Sequence, residues 1–77
     1  MSEKAVLSAS ESKRLGLAIA NQRRKAKLTQ ERLAEAVGIT VRHMQKIEAG
    51  HRVPSLAVLS SLRRTFRIEW SDLFQGV

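Results

Sequence analysis

Seventy-seven residues make one small domain with no room for a second, and a domain of this size gains from a partner subunit. The lack of Cys excludes disulfides and a cysteine zinc site, and no apolar run approaches the roughly 20 residues that a membrane span needs. Fourteen Lys and Arg against seven Asp and Glu give a formal net charge of +7. That excess favours a polyanionic partner, nucleic acid first and an anionic membrane surface second, over charge that merely solubilises.

The opening "MSEKAVLSASESKR" lacks the basic start, apolar stretch and small-residue site of a secretory signal, so a soluble, cytoplasmic chain is expected. Residues 1–7 are expected to be flexible, with a single domain over 8–77. No run alternates apolar and polar residues, which argues against strands, and no internal repeat stands out.

Five helices are predicted from stop and start signals. The first opens at Ser8, which has capping-box spacing to Glu11, carries Leu15, Ala18, Ile19 and Ala26 as its apolar stripe, and ends near Lys27. Thr29 caps the second, "QERLAEAV", whose inner face is Leu33, Ala34 and Val37. Gly38 ends it, where a left-handed backbone suits glycine. Thr40 caps the third, "VRHMQKIEA", with Met44 and Ile47 inward and Gly50 as its stop. Ser55 starts the fourth, with Leu56, Leu59, Leu62 and Phe66 as its stripe, and a short fifth spans about residues 70–75. The fold class is therefore all-α, five helices around one core.

Two short helices joined by about three residues cross steeply, as in a helix-turn-helix, here over 29–50. Ala34 is small enough for the close approach, Gly38 tolerates the turn, Ile39 plugs it, and Met44 and Ile47 anchor the second helix. On a wheel of about 100° per residue, Arg42, Lys46 and Ala49 then point outward, flanked by Val41 and Gln45. Such a face suits the DNA major groove: Arg and Lys match guanine O6 and N7, Gln pairs with adenine, and small apolar groups meet the thymine methyl. Glu48 falls near the inward side, and Arg23 on the matching flank of the first helix is its predicted salt-bridge partner.

The stretch "LTQERLAEAVGITVRHMQKIEAGHRVPS" resembles the phage Cro/repressor-type helix-turn-helix family, also called the xenobiotic-response-element family. The marks are Thr29-Gln30, Leu33-Ala34, Gly38, Ile47-Glu48, Gly50 and Pro54-Ser55, with Ile19, Arg23, Leu59, Leu73 and Phe74 outside them. The resemblance covers roughly residues 12–75. It implies a compact five-helix, repressor-like DNA-binding domain whose third helix reads base edges through Thr40, Val41, Arg42, Gln45 and Lys46. It also implies that Gln30 sits at the DNA backbone, and it supports the Arg23–Glu48 bridge as a family feature. Lys27 stands where the family carries glycine, which predicts a less sharply turned end of the first helix. Arg63 replaces a small alanine, Arg67 a glycine, Glu69 a small cap and Gln45 a serine. The changes at Arg63 and Arg67 predict altered packing of the fourth helix.

Arg24, Lys25, Lys27, Thr29, His51 and Arg52 are candidates for phosphate contacts, which position the protein without specifying sequence. His43 is read as solvated or backbone-side. Two His eight residues apart, without Cys or paired carboxylates, make a metal site improbable, and neither a catalytic triad nor a phosphate-binding glycine loop is present. The chain is thus expected to be no enzyme and to need no cofactor.

Trp70, Leu73, Phe74 and Val77 are a heavy apolar load for a terminal helix and are the candidate homodimer contact; paired half-sites about 34 Å apart suit this motif. The leading reading is a sequence-specific regulator of transcription, a repressor on double-stranded DNA, cytoplasmic and nucleoid-associated. The competing reading is a protein-interaction module, such as an antitoxin, that docks an acidic partner.

Overall fold

The structure, a computed structural model, describes residues 6–77. Five helices follow in chain order: α1 (Ala9–Lys25), α2 (Gln30–Val37), α3 (Val41–Glu48), α4 (Leu56–Phe66) and α5 (Trp70–Leu73). Among the described residues there is no strand. The expected flexibility of residues 1–5 lies outside the described residues; Val6 and Leu7 are exposed and precede the first helix.

The predicted starts hold at hydrogen-bond resolution. Ser8, Thr29, Thr40 and Ser55 have extended backbones, and each hydroxyl accepts the N–H three residues on, at 3.0, 3.1, 3.1 and 3.2 Å. Each satisfies a donor that the first helical turn leaves open, worth about 1 kcal/mol. Glu11 Oε1 accepts the Ser8 N–H at 2.9 Å and completes the capping box. At α5 there is no hydroxyl to do this; Asp72 instead accepts the Glu69 N–H at 3.1 Å. This last helix is shorter than expected, with Phe74 as its cap residue.

The four longer helices end alike. The N–H groups of Leu28, Ile39, His51 and Ile68 reach back five residues to the carbonyls of Arg23, Ala34, Lys46 and Arg63. That closure requires a left-handed residue just before the donor. Gly38 serves α2 with φ 78°, but Lys27 (φ 58°) serves α1 and Arg67 (φ 56°) serves α4. The end of α1 is therefore as sharply turned as a glycine would make it, contrary to expectation, and a side-chain-bearing residue carries strain of about 1 kcal/mol. In both places an arginine reaches over the turn. Arg23 Nη1 donates to the Leu28 carbonyl at 3.0 Å, and Arg63 Nη1 to the Ile68 carbonyl at 3.5 Å. "RRKAKL" and "RRTFRI" are thus one six-residue terminator used twice, a repeat too short and degenerate to see before its geometry is known.

The core is Leu15 and Ile19 from α1, Leu33 and Ala34 from α2, Met44 and Ile47 from α3, Leu62 from α4 and Leu73 from α5. Two stripes need correction. In α1, Ala20 is buried, whereas Ala18 is half-buried and Ala26 is exposed at the cap. In α4, Leu56 is 74% exposed and Val58 packs against the core in its place. On the helical wheel Leu56 stands about 100° from the centre of the face shared by Val58, Leu59, Leu62 and Phe66.

The seat of α3 on α1 is set by Gly16. A Cβ there would lie 2.5 Å from the carbonyl oxygens of both Ile47 and Glu48. Only a hydrogen fits, so the end of α3 nests directly on the α1 backbone. Two turns further along the same face of α1 stands Arg23, within reach of Glu48.

Candidate nucleic-acid interface

Burial of Met44 and Ile47 decides which way α3 faces. It leaves Arg42, His43, Gln45 and Ala49 exposed and Lys46 half-buried. The result is a ridge with a hollow on either side. One hollow, about 330 Å³, is lined by Thr40, Arg42, His43, Lys46 and Arg52. The other, about 300 Å³, is lined by Arg42, Gln45, Lys46, Ala49 and His51. Arg42 and Lys46 belong to both, so they form the ridge, and neither hollow has an acidic lining residue.

This arrangement gathers most of the predicted reading face. Val41 departs from it: the residue is half-buried and packs against the core, because the first turn of α3 leans on the domain there. Thr40 lines the first hollow while its oxygen caps α3. His51 and Arg52, in the loop after α3, fall in opposite hollows.

Arg24, Thr29 and Gln30 lie at the junction of α1 and α2 and line neither hollow. Arg24 is exposed and donates to Asn21 Oδ1 at 3.3 Å. Lys25 and Lys27 are exposed as well. Thr29 Oγ1 accepts the Arg32 N–H as a cap, which leaves its hydroxyl hydrogen to donate elsewhere. Gln30 has a task the sequence did not disclose, since its Nε2 donates to Glu48 Oε1 at 3.0 Å.

Glu48 is thereby the hub of the domain. Arg23 Nε donates to its Oε2 at 2.8 Å and Arg23 Nη2 to its Oε1 at 3.1 Å, so the predicted salt bridge is present. The side chains are only 13% and 6% exposed. A carboxylate at the end of α3 would repel an anionic partner such as phosphate. Paired with Arg23 and drawn beneath the surface, it leaves the cationic ridge uncontested.

The predicted terminal patch divides. Leu73 is fully buried and Val77 is half-buried against the core, so the fold itself uses them and Leu73 is removed from any subunit contact. Trp70 and Phe74 are part-exposed and stacked, with ring centres 5.9 Å apart and planes 10° apart. The Arg63 guanidinium lies 5.2 Å from the Trp70 ring centre, a use of this cation that the substitution for alanine did not suggest.

The helix-turn-helix family model matches residues 19–73. The chain belongs to the Cro/repressor-type helix-turn-helix family. It is a DNA-binding transcriptional regulator of that family. Eight solved chains resemble this helix-turn-helix protein. The restriction-modification controller protein C.AhdI from Aeromonas hydrophila is 26% identical, with a TM-score of 0.78 over 83% of this chain and 97% of that one. The clp gene regulator ClgR from Corynebacterium glutamicum is 25% identical, with a TM-score of 0.75 over 92% of this chain and 90% of that one. The competence regulator ComR from Streptococcus vestibularis is 30% identical, with a TM-score of 0.72 over 90% of this chain but 23% of that one. No curated protein matches the sequence. Among the described residues, no helix of this helix-turn-helix protein is long and apolar enough to cross a membrane.

Proposed function

We propose that residues 8–77 act as one operator-binding domain of a cytoplasmic repressor, which lays α3 in the major groove of its DNA site. The observation that carries this is the Arg42–Lys46 ridge between two hollows free of acidic residues. Arg42 and Lys46 present bidentate or single donors to guanine, Gln45 meets adenine, and Thr40 contacts a base at the helix start. Val41 offers a methyl contact at most. Arg24, Thr29, Gln30, His51 and Arg52 position the domain on the phosphates. The likeness to a restriction-modification controller and to a clp gene regulator supports gene control as the role.

Selection from a random duplex library tests the reading. A recovered consensus with binding that weakens steeply as salt rises is the expected result. Shallow salt dependence with no consensus would favour the interaction-module reading instead. Occupancy of the site should then lower transcription from an overlapping promoter; a rise in transcription would make the protein an activator.

A homodimer joined through Trp70 and Phe74 fits the motif, because two reading helices about one DNA turn apart reach successive major grooves. Their stacked, part-exposed rings support it. A monomer by light scattering at high micromolar concentration, with binding to a single half-site, would overturn it.

A further inference from the structure

We propose, resting on the DNA-binding reading above, that the hollow bounded by Thr40, Arg42, His43, Lys46 and Arg52 seats a DNA backbone phosphate and that His43 is a protonation-dependent contact to it. The sequence left His43 between solvent and backbone, and the geometry decides. The major groove is a channel about 12 Å wide between two phosphate walls. A helix lying in it turns its central ridge to the base edges and its two flanks to the two walls. Here the ridge is Arg42 and Lys46, so each hollow beside it faces a wall. On one flank, Arg52 from the loop after α3 converges with His43 from the first turn of α3. Both side chains are exposed, and a hydroxyl, two guanidinium groups, an ammonium and an imidazole surround one space.

The charged lining comes from α3 (Arg42 and Lys46) and from the following loop (Arg52); α1, α2, α4 and α5 contribute no charged side chain to it. A phosphate seated among these groups favours the charged imidazolium over the neutral ring. DNA binding therefore takes up a proton, and affinity rises as pH falls through the usual histidine range. His51, in the other hollow, is the second imidazole at the interface and faces the opposite wall, so its variant separates the two contributions.

The test compares wild type, His43→Gln and His51→Gln on a random-sequence duplex at about pH 6 and about pH 8 over a range of salt. Wild type is expected to bind roughly three- to tenfold more tightly at the lower pH, with a log–log salt slope steeper by about one. His43→Gln should lose most of that gain and the extra slope. A variant that keeps both the gain and the slope would overturn the assignment, as would loss of the whole gain in His51→Gln. An NMR titration of the wild-type His43 ring provides a second readout. Its pKa should rise on duplex addition and stay put in inorganic phosphate at matched ionic strength; no rise with duplex, or an equal rise with phosphate alone, would reject a DNA phosphate as the occupant. If wild type shows no salt-sensitive duplex binding, the DNA-binding reading fails with it; if wild type binds and His43→Gln behaves identically, only this inference fails.

Discussion

Arg23 on α1 holds Glu48 at the end of α3 by a two-pronged pair, Nε to Oε2 at 2.8 Å and Nη2 to Oε1 at 3.1 Å. The same guanidinium donates to the Leu28 carbonyl, and the same carboxylate accepts from Gln30. One contact therefore ties together the two helices of the helix-turn-helix, the helix behind them and the loop between. Glu48→Ala should destabilise the fold by about 3–5 kcal/mol, because Arg23 is left mostly buried with only a backbone carbonyl. Thermal denaturation checks it, and Arg23→Ala with Glu48→Ala together should cost less than the sum of the two. An unmoved midpoint in Glu48→Ala would mean that the pair is effectively solvated.

Gly16→Ala should be among the most damaging small substitutions. The new methyl meets two backbone carbonyls at 2.5 Å, and backbone cannot swing away as a side chain can. A loss of about 1–3 kcal/mol is expected, with weaker DNA binding as α3 is lifted from α1. Alanine is otherwise the better helix former by about 1 kcal/mol, so a stabilised variant would show that α3 does not sit there.

Lys27→Gly and Arg67→Gly should each stabilise by about 0.5–1 kcal/mol, since glycine adopts positive φ without the Cβ penalty but loses more chain entropy on folding. The two turns end different helices, so the gains should add. Chemical denaturation of both singles and the double variant measures this. A loss at either position would show that the basic side chain itself contributes more than its backbone strain removes.

Arg42→Ala and Arg24→Ala should separate reading from positioning. The first is expected to cost about 1–3 kcal/mol on the selected site and to relax one base position. The second should weaken all sequences alike and lower the salt slope by about one. Unchanged base preference in Arg42→Ala would reject it as a reader.

The Ser8 capping box makes a pH prediction. The Ser8 backbone N–H first, and its hydroxyl second, hold the Glu11 carboxyl below its ordinary value of 4.5. A depressed folded-state pKa stabilises above the ordinary value and is lost as pH falls through the lowered one. The melting advantage of wild type over Glu11→Gln should therefore be full at neutral pH and fade in acid, below about pH 4. A difference that stays constant with pH would mean that the carboxylate is not linked to folding.

Much of the fold was legible because its punctuation is local. A hydroxyl three residues before an open N–H caps a helix whatever surrounds it, and Ser8, Thr29, Thr40 and Ser55 mark four starts in the plain sequence. Gly38 marks a stop for the same reason. The outward set Arg42, Gln45 and Lys46 follows from the inward pair Met44 and Ile47, because helical periodicity is itself local. The family marks sharpened this, and the Arg23–Glu48 pair could be named in advance since a charge near a core requires a partner.

What sequence by itself determined, then, was the number and order of helices, and the inward face and outward cations of α3. Tertiary structure alone decided where those helices touch: that Gly16 is the seat of α3, that Gln30 turns to Glu48, that Val41 and Leu73 serve the core, and that His43 and Arg52 share a hollow. The reason is physical. Caps and periodicity depend on neighbours within about one turn, which the sequence displays directly. Burial and convergence depend on surfaces brought together from distant segments, and the packing of all five helices settles them at once.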